Sequence, residues 1–271
     1  MRERVAHDLK DAARVIAAKG CMLGAPLEIM DETSSTNDVA KRAAKLGAPH
    51  GALWLAESQL AGRGRQGRSW IGVPGESLMF SVLVRLTCPS SRLPLLALAS
   101  GLAVRDAIAR AAPGADVRVK WPNDVLVGGR KVAGILVETA DTSSKSPALV
   151  VGIGVNVFTR NFPDELATRA TSVALVAADP PTRVAILADI LEGLDRDLTF
   201  VAARGLGMIH ARMTAADALR DRPVRTDDGT EGVARGIDLE GRLRVERKDG
   251  TVVTLVAGEV HLLQSGSELP V

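Results

Sequence analysis

The sequence predicts an α+β fold: a mixed β-sheet packed against helices over residues 1–219, then a small all-β module over 220–271. Three observations predict it. Apolar, β-prone runs recur as closely spaced pairs between residues 51 and 157, which suits hairpins better than a regular strand–helix–strand series. Two long helical segments, 92–111 and 182–203, accompany them. Beyond residue 220 short β-prone runs alternate with D-D-G, D-L-E-G and K-D-G turns, which is hairpin chemistry at close spacing.

Taken in order, residues 5–19 read as a short helix stopped by Gly20, and "SSTNDVAKRAAKLG" as another, with Ser or Thr in the cap region and Gly47 at its end. "GALWLAE" (51–57) is a strand, and residues 62–70 form a glycine-arginine loop. Residues 77–86 are a nearly continuous apolar strand, and 92–111 a largely buried helix. "DVRVKW", "DVLVGGRKVAGILVET" with its Gly128-Gly129 turn, and "ALVVGIGVNV" supply further strands. Pro122 separates the first of these from the second, because proline cannot continue a central ladder. Thr139 to Pro147 reads as a polar loop, and 206–218 as a last helix.

Composition narrows the function classes. With 46% apolar and 24% charged residues the chain is an ordinary globular protein that can bury a core. Its 34 basic and 32 acidic side chains are too balanced for a dedicated nucleic-acid binder, so Arg63, Arg65 and Arg68 are a local concentration of charge. Cys21 and Cys88 have no metal-like spacing and suggest no disulfide framework. The charged N-terminus is no secretion signal, and no apolar run approaches the roughly 18–20 residues of a membrane span, so a reducing cytoplasm is expected.

"GRGRQGRSW" (62–70) meets the dinucleotide fingerprint G-x-G-x-x-G in letters only. That motif needs a helix whose N-terminus receives the pyrophosphate, yet "RSWIGVPGESLMFSVLV" continues with turn-formers and a β run. Nor does a G-K-[S/T] follow, as a P-loop requires. What remains is a backbone able to approach a ligand closely, carrying forked donors matched to carboxylate or phosphate. Such a loop is expected to be mobile when empty and to close on an anion. Lys120 ends a β run beside the rigid Trp121-Pro122-Asn123-Asp124 turn, where its charge can be aimed into a site. Ala133 and Gly134 sit inside a strand, which marks either a close ligand or backbone approach or a bulge. Asn156 follows an apolar strand, as an end cap or as a polar hand for a base.

At these residues the chain resembles the biotin protein ligases. "STN" (35–37), "GRGRQGRSW" (62–70), "KWPNDVLV" (120–127), "KVAGILVE" (131–138) and "GIGVN" (152–156) occur in that family's order and at compatible spacing. The resemblance implies a catalytic sheet of the class II aminoacyl-tRNA synthetase type and an SH3-like C-terminal barrel. It implies that biotin's carboxylate attacks the α-phosphate of ATP, with Mg2+ at the triphosphate, giving biotinyl-5′-AMP. A lysine of a biotin carboxyl carrier domain, of acetyl-CoA carboxylase or a related carboxylase, then takes the biotin.

By the same resemblance Lys120 and Arg65 are catalytic, Lys120 at the reacting oxygens and Arg65 in retaining the adenylate. Ser35, Thr36, Asn37, Gln59, Gly62, Arg63, Arg65, Lys120, Ala133 and Gly134 hold biotin. Arg63, Arg65, Arg68, Trp70, Lys120, Asn123 and Asn156 hold the nucleotide; the metal's ligands stay undefined. For Ser35 and Thr36 a helix-capping role can coexist with binding, and for Trp70 plain core is the alternative. A lipoate or octanoyl transferase or ligase is the nearest rival, and the arginine-rich loop favours biotin. Only 34 residues precede "STN", fewer than a winged-helix domain needs, so no DNA binding is expected. A monomer or weak homodimer is expected, with no membrane association.

Overall fold

A computed structural model describes residues 8–86, 89–141 and 147–263. Its centre is a seven-stranded sheet of order β1-β2-β3-β7-β6-β5-β4, formed by β1 (Leu27–Thr33), β2 (Leu53–Gln59), β3 (Ser77–Arg85), β4 (Val117–Lys120), β5 (Asp124–Val127), β6 (Arg130–Asp141) and β7 (Ala148–Asn156). All neighbours are antiparallel except β1 and β2, which pair in parallel. A parallel pair needs a crossover, and helix α2 (Thr36–Lys45) supplies it.

Strands β3 and β7 lie at the middle of the sheet and are buried almost throughout, which explains their unbroken apolar runs. Alternate residues serve opposite faces. Phe80, Val82, Val84, Val151, Ile153 and Val155 face the main core with helices α3 (Leu93–Ala111) and α6 (Arg183–Arg204). Leu83 and Val150 face a second, smaller cluster with Trp54, Ala40 and Ala44, the last two on α2. Helix α2 therefore covers the face opposite the two long helices, and its cover is narrow.

The predicted elements are found in order, but strand β1 (Leu27–Thr33) is an addition not anticipated from the sequence, and other differences are informative. The first helix, α1, occupies only Ala12–Ala17, with turns before it, and residues 5–7 lie outside the described residues. Gly20 and Gly47 adopt positive φ (66° and 88°) just past α1 and α2, as helix-stopping glycines do. Strand β6 runs on to Asp141, beyond the expected loop start at Thr139, and residues 142–146 lie outside the described residues. Short helices α4 (Asp164–Ala167) and α5 (Val173–Val176) fill the connection from β7 to α6. Residues 206–218 hold a 3-10 turn and a short helix α7 (His210–Ala216). Cys21 is a free thiol, and Cys88 lies outside the described residues.

From Pro223 to Leu262 the chain forms a second, five-stranded antiparallel sheet of β8 to β12. Trp121 ties the two parts together. Its indole is buried and its Nε1 donates to the carbonyl of Gly241, 3.0 Å away. No helix among the described residues is long and apolar enough to cross a membrane.

Candidate active site

Gly134, Gly152 and Gly154 project toward the α2 face of the sheet in adjoining register, Gly134 opposite Gly154 and Gly152 opposite Leu136. Three glycines on one face leave a trench where side chains would otherwise stand. A Cβ at Gly152 would lie 2.1 Å from Asn37 Oδ1, and one at Gly154 would lie 2.3 Å from the Trp70 ring. The trench is thus glycine-lined because α2 and the Trp70 indole descend into it. At Gly134 the two readings resolve separately. The bulge sits between Lys131 and Ala133, while Gly134 itself makes room for the ring of Trp70 and the stem of Lys131.

One end of the trench is polar. Ser35 precedes α2 in extended backbone and makes no side-chain cap. The cap comes instead from Gln59 at the end of β2, whose Oε1 accepts from the Thr36 N–H at 2.8 Å. Ser35, Thr36 and Asn37 are all buried. Ser81 Oγ lies 2.7 Å from Thr36 Oγ1 and 2.6 Å from Asn37 Oδ1, and Asn37 Nδ2 donates to Glu138 at 2.7 Å.

The glycine-arginine loop folds back on itself. Gly64 N–H donates to the Arg68 carbonyl (2.7 Å) and Trp70 N–H to the Gly62 carbonyl (2.9 Å), with Gln66 and Gly67 at positive φ in the turn. A Cβ on Gly62 would sit 2.4 Å from the Trp70 carbonyl, so glycine is required by this crossing. After the loop the next element is strand β3 and no helix intervenes, which removes the dinucleotide reading.

The loop's arginines diverge. Arg63 pairs with Asp38 on α2 (2.6 Å) and Glu138 on β6 (2.7 Å), at the polar end of the trench. Arg65 donates to Asn123 Oδ1 (3.2 Å), and Asn123 is itself fixed by Nδ2 to the Ile135 carbonyl (2.7 Å). Arg68 reaches the C-terminal module and pairs with Glu259.

At the other end Lys120 and Asp124 stand opposite each other across the β4–β5 turn, and Lys131 pairs with Asp124 at 2.7 Å. Burial pushes the Lys120 ammonium below the ordinary lysine range, with Lys131 and Arg68 adding to the effect and Asp124 and Asp227 opposing it. Arg65 is lowered for the same first reason, desolvation. Lys131 also lies over the Trp70 ring, 5.7 Å from its centroid. Asn156 is buried, and its Nδ2 donates to the Thr171 carbonyl at 3.1 Å.

Most of these groups line one cavity of about 740 Å3, within the range of small-molecule sites of about 300–1,000 Å3. Ser35, Thr36, Asn37, Gln59, Arg63, Arg65, Arg68, Trp70, Lys120, Asn123, Gly134 and Asn156 are all in its wall. Gly62 and Ala133 are buried beside it and are not. Two wall atoms, Trp70 Nε1 and Thr159 Oγ1, are buried without a hydrogen-bond partner, and such atoms favour a ligand that satisfies them. Sequence reading assigned no role to Gly152, Gly154, Asp124 or Lys131 in this wall, nor to Glu259 and His261 from the C-terminal module. The K-V-A-G-I-L-V-E and G-I-G-V-N runs held the signal for the first two and for Lys131. Nothing local marks Glu259 or His261, which arrive through tertiary packing.

Residues 29–156 match the Biotin/lipoate A/B protein ligase family, and residues 223–263 match the Biotin protein ligase C terminal domain. The biotin–[acetyl-CoA-carboxylase] ligase of Mycobacterium tuberculosis is 36% identical over 250 residues, covering 87% of this chain and 89% of that protein. The chain belongs to the biotin protein ligase family. A further relative, the bifunctional ligase/repressor BirA of Bacillus subtilis, is 34% identical over 84% of this chain and 72% of its own length. The biotin protein ligase from Aquifex aeolicus, solved in complex with biotin and ATP, superposes with a TM-score of 0.75 at 27% identity, covering 89% of this chain and all of that one. In this chain the α2 face of the seven-stranded sheet, together with Glu259, His261 and Leu262 of the C-terminal module, frames the cavity.

Proposed function

We propose that this chain is a biotin–[biotin carboxyl carrier protein] ligase that activates biotin with ATP to biotinyl-5′-AMP and transfers it to a lysine of a carrier domain. One cavity with a polar end, a glycine-lined trench and a cationic end carries this reading, because it suits a ligand with a polar head, an apolar body and an anionic tail. Biotin's ureido ring belongs at Ser35, Thr36, Asn37 and Gln59. Gln59 uses its carbonyl on Thr36, which leaves its NH2 for a ligand oxygen. Gly134 borders the slot, with Gly62 behind its wall, while Ala133 packs into the main core on the other face of the sheet.

The carboxylate and the α-phosphate meet at Lys120. Two anions repel as they approach, so the protein's work is charge neutralisation and positioning, strongest where water is excluded. Burial of Lys120 serves that purpose. Arg65, held by Asn123, and Arg68 close over the phosphates and retain the adenylate. Arg63 serves the biotin end, where its acidic partners lie. Trp70 and Asn156 face the nucleotide.

Magnesium enters with the nucleotide as MgATP. Asp227, Glu259 and His261 are the group among the described residues that approaches a metal-ligand arrangement. Glu259 is already engaged by Arg68 and His261 by Asp227, and a ring nitrogen suits magnesium poorly. No step is routed through them. The acceptor is the carrier domain of acetyl-CoA carboxylase or a related carboxylase. The working unit is a monomer or weak homodimer in the cytoplasm. The two parts divide at 219/220, between α7 and β8.

Mass spectrometry of a carrier domain incubated with the chain, biotin, ATP and magnesium tests the reading. One added biotin on one lysine is expected. An unmodified carrier, or modification by lipoate in preference to biotin, rejects it.

A further inference from the structure

Glu138 lies on β6 outside the cavity wall, yet it receives three donors. Asn37 Nδ2 donates to Oε2 at 2.7 Å, and Arg63 (2.7 Å) and Lys41 (3.1 Å) both meet Oε1. Asp38 closes the ring, taking Arg63 at 2.6 Å and Lys41 at 3.1 Å. The carboxyl of Asp38 is held below its usual range: burial works against this, and the bonds from Lys41 and Arg63 outweigh it. Glu138 is well covered, with 19% of its side chain exposed, so these contacts are less screened than a surface pair.

An ionised carboxylate only accepts. Asn37 must therefore turn its NH2 toward Glu138 and its Oδ1 toward Ser81. Ser81 has one hydroxyl proton, and Asn37 Oδ1 cannot donate, so that proton goes to Asn37. Ser81 Oγ is then left to accept from Thr36, whose hydroxyl has Ser81 at 2.7 Å as the nearer of two acceptors, Gln59 Oε1 lying 3.3 Å away. The donor direction runs from Thr36 through Ser81 and Asn37 to Glu138, and it leaves the Thr36 oxygen as an acceptor facing the trench, where ligand N–H groups would bind. The same carboxylate holds Arg63, the second residue of the glycine-arginine loop.

We propose that Glu138 is a positioning residue that couples the two halves of the biotin site: it fixes the hydrogen-bond direction at the slot's polar end and latches the glycine-arginine loop across it through Arg63. This rests on the slot being the biotin site. A ligand that engages Thr36 strengthens the chain leading to Glu138, and a latched loop narrows the exit from the trench.

The test is steady-state pyrophosphate release by the full chain as a function of biotin concentration, for Glu138→Gln, Arg63→Gln, the double variant, Glu138→Asp and Lys41→Met. Glu138→Gln is expected to raise KM for biotin about tenfold, the scale of one lost charge-assisted hydrogen bond, while kcat changes less than about threefold. The double variant should be no worse than Glu138→Gln alone, because Arg63 acts on the slot only through the latch that Glu138→Gln already breaks. Glu138→Asp should recover part of the affinity, and Lys41→Met should leave KM within about twofold, since Lys41 is not on the loop. An unchanged KM in Glu138→Gln, additive effects in the double variant, or a Lys41→Met that reproduces the defect overturns the proposal. Absence of biotin-dependent pyrophosphate release from the unaltered chain would instead reject the ligase reading.

Discussion

At Lys120 two demands conflict. Burial strengthens its pull on an oxyanion but weakens its hold on the proton, and Asp124 and Asp227 offset that loss. The useful form is the ammonium, which exists below the lysine's pKa. Because that pKa is lowered, adenylation should decline on the alkaline side at a lower pH than a solvent-exposed lysine would dictate. Lys120→Arg should move this limb upward or remove it, since guanidinium stays charged. Lys120→Ala should slow pyrophosphate release by roughly a hundred- to thousandfold, as loss of a preorganised charge does. The pH profile of pyrophosphate release checks both, and an unshifted alkaline limb in Lys120→Arg would assign the titration elsewhere.

At the scale of elements, the trench exists because β6 and β7 carry glycines at successive positions of one face. Their cost is small in a sheet whose other face is a dense apolar core. Gly152→Ala should therefore fold, but its new methyl would occupy the place of Asn37 Oδ1. Displacing Asn37 breaks the chain from Ser81 to Glu138. Biotin KM should rise about tenfold, the loss of roughly one hydrogen bond, while the melting temperature falls by no more than about 5 °C. Equilibrium titration with biotin and a thermal melt separate the two effects. A large stability loss with normal affinity would mean the glycine serves packing alone.

Across the whole molecule, Arg183 on α6 is fully buried and joins distant parts of the chain. It pairs with Asp8 from the N-terminal segment (2.7 Å) and Glu57 at the end of β2 (2.7 Å), and donates to the Ser77 carbonyl. Glu57 also accepts from the Gly75 N–H at 2.9 Å, so the same network fixes the exit of the glycine-arginine loop. Arg183→Met would leave two covered carboxylates without their cation, a loss of about 3–5 kcal/mol. Its melting temperature should drop by roughly 10 °C, measured by calorimetry. A change of only a degree or two would show that the carboxylates find water or other donors.

The element types were legible wherever one face or both faces of an element are buried. β3, β7, α3 and α6 declare themselves through apolar runs or periodicity. Strand β1 does not. It is an edge strand, mostly exposed, and "LEIMDET" holds three acidic residues with no clean alternation, so its pairing with β2 is decided by the α2 crossover and not by its own pattern. The C-terminal hairpins were readable because turns such as D-D-G are local signals.

For the site, the sequence alone supplied the residue types that its chemistry needs: flexible glycines, forked cations, a lysine beside a rigid turn. Those are properties of short segments, and twelve of the fourteen residues singled out do meet in one cavity wall. Only the tertiary structure decided which partner each one takes. Arg63 turns to the acids of α2 and β6, Arg65 to Asn123, and Arg68 to Glu259 of the second sheet. Charge partners are chosen by distance in space, and residues 38, 123, 138 and 259 become neighbours of one loop only once both sheets have formed.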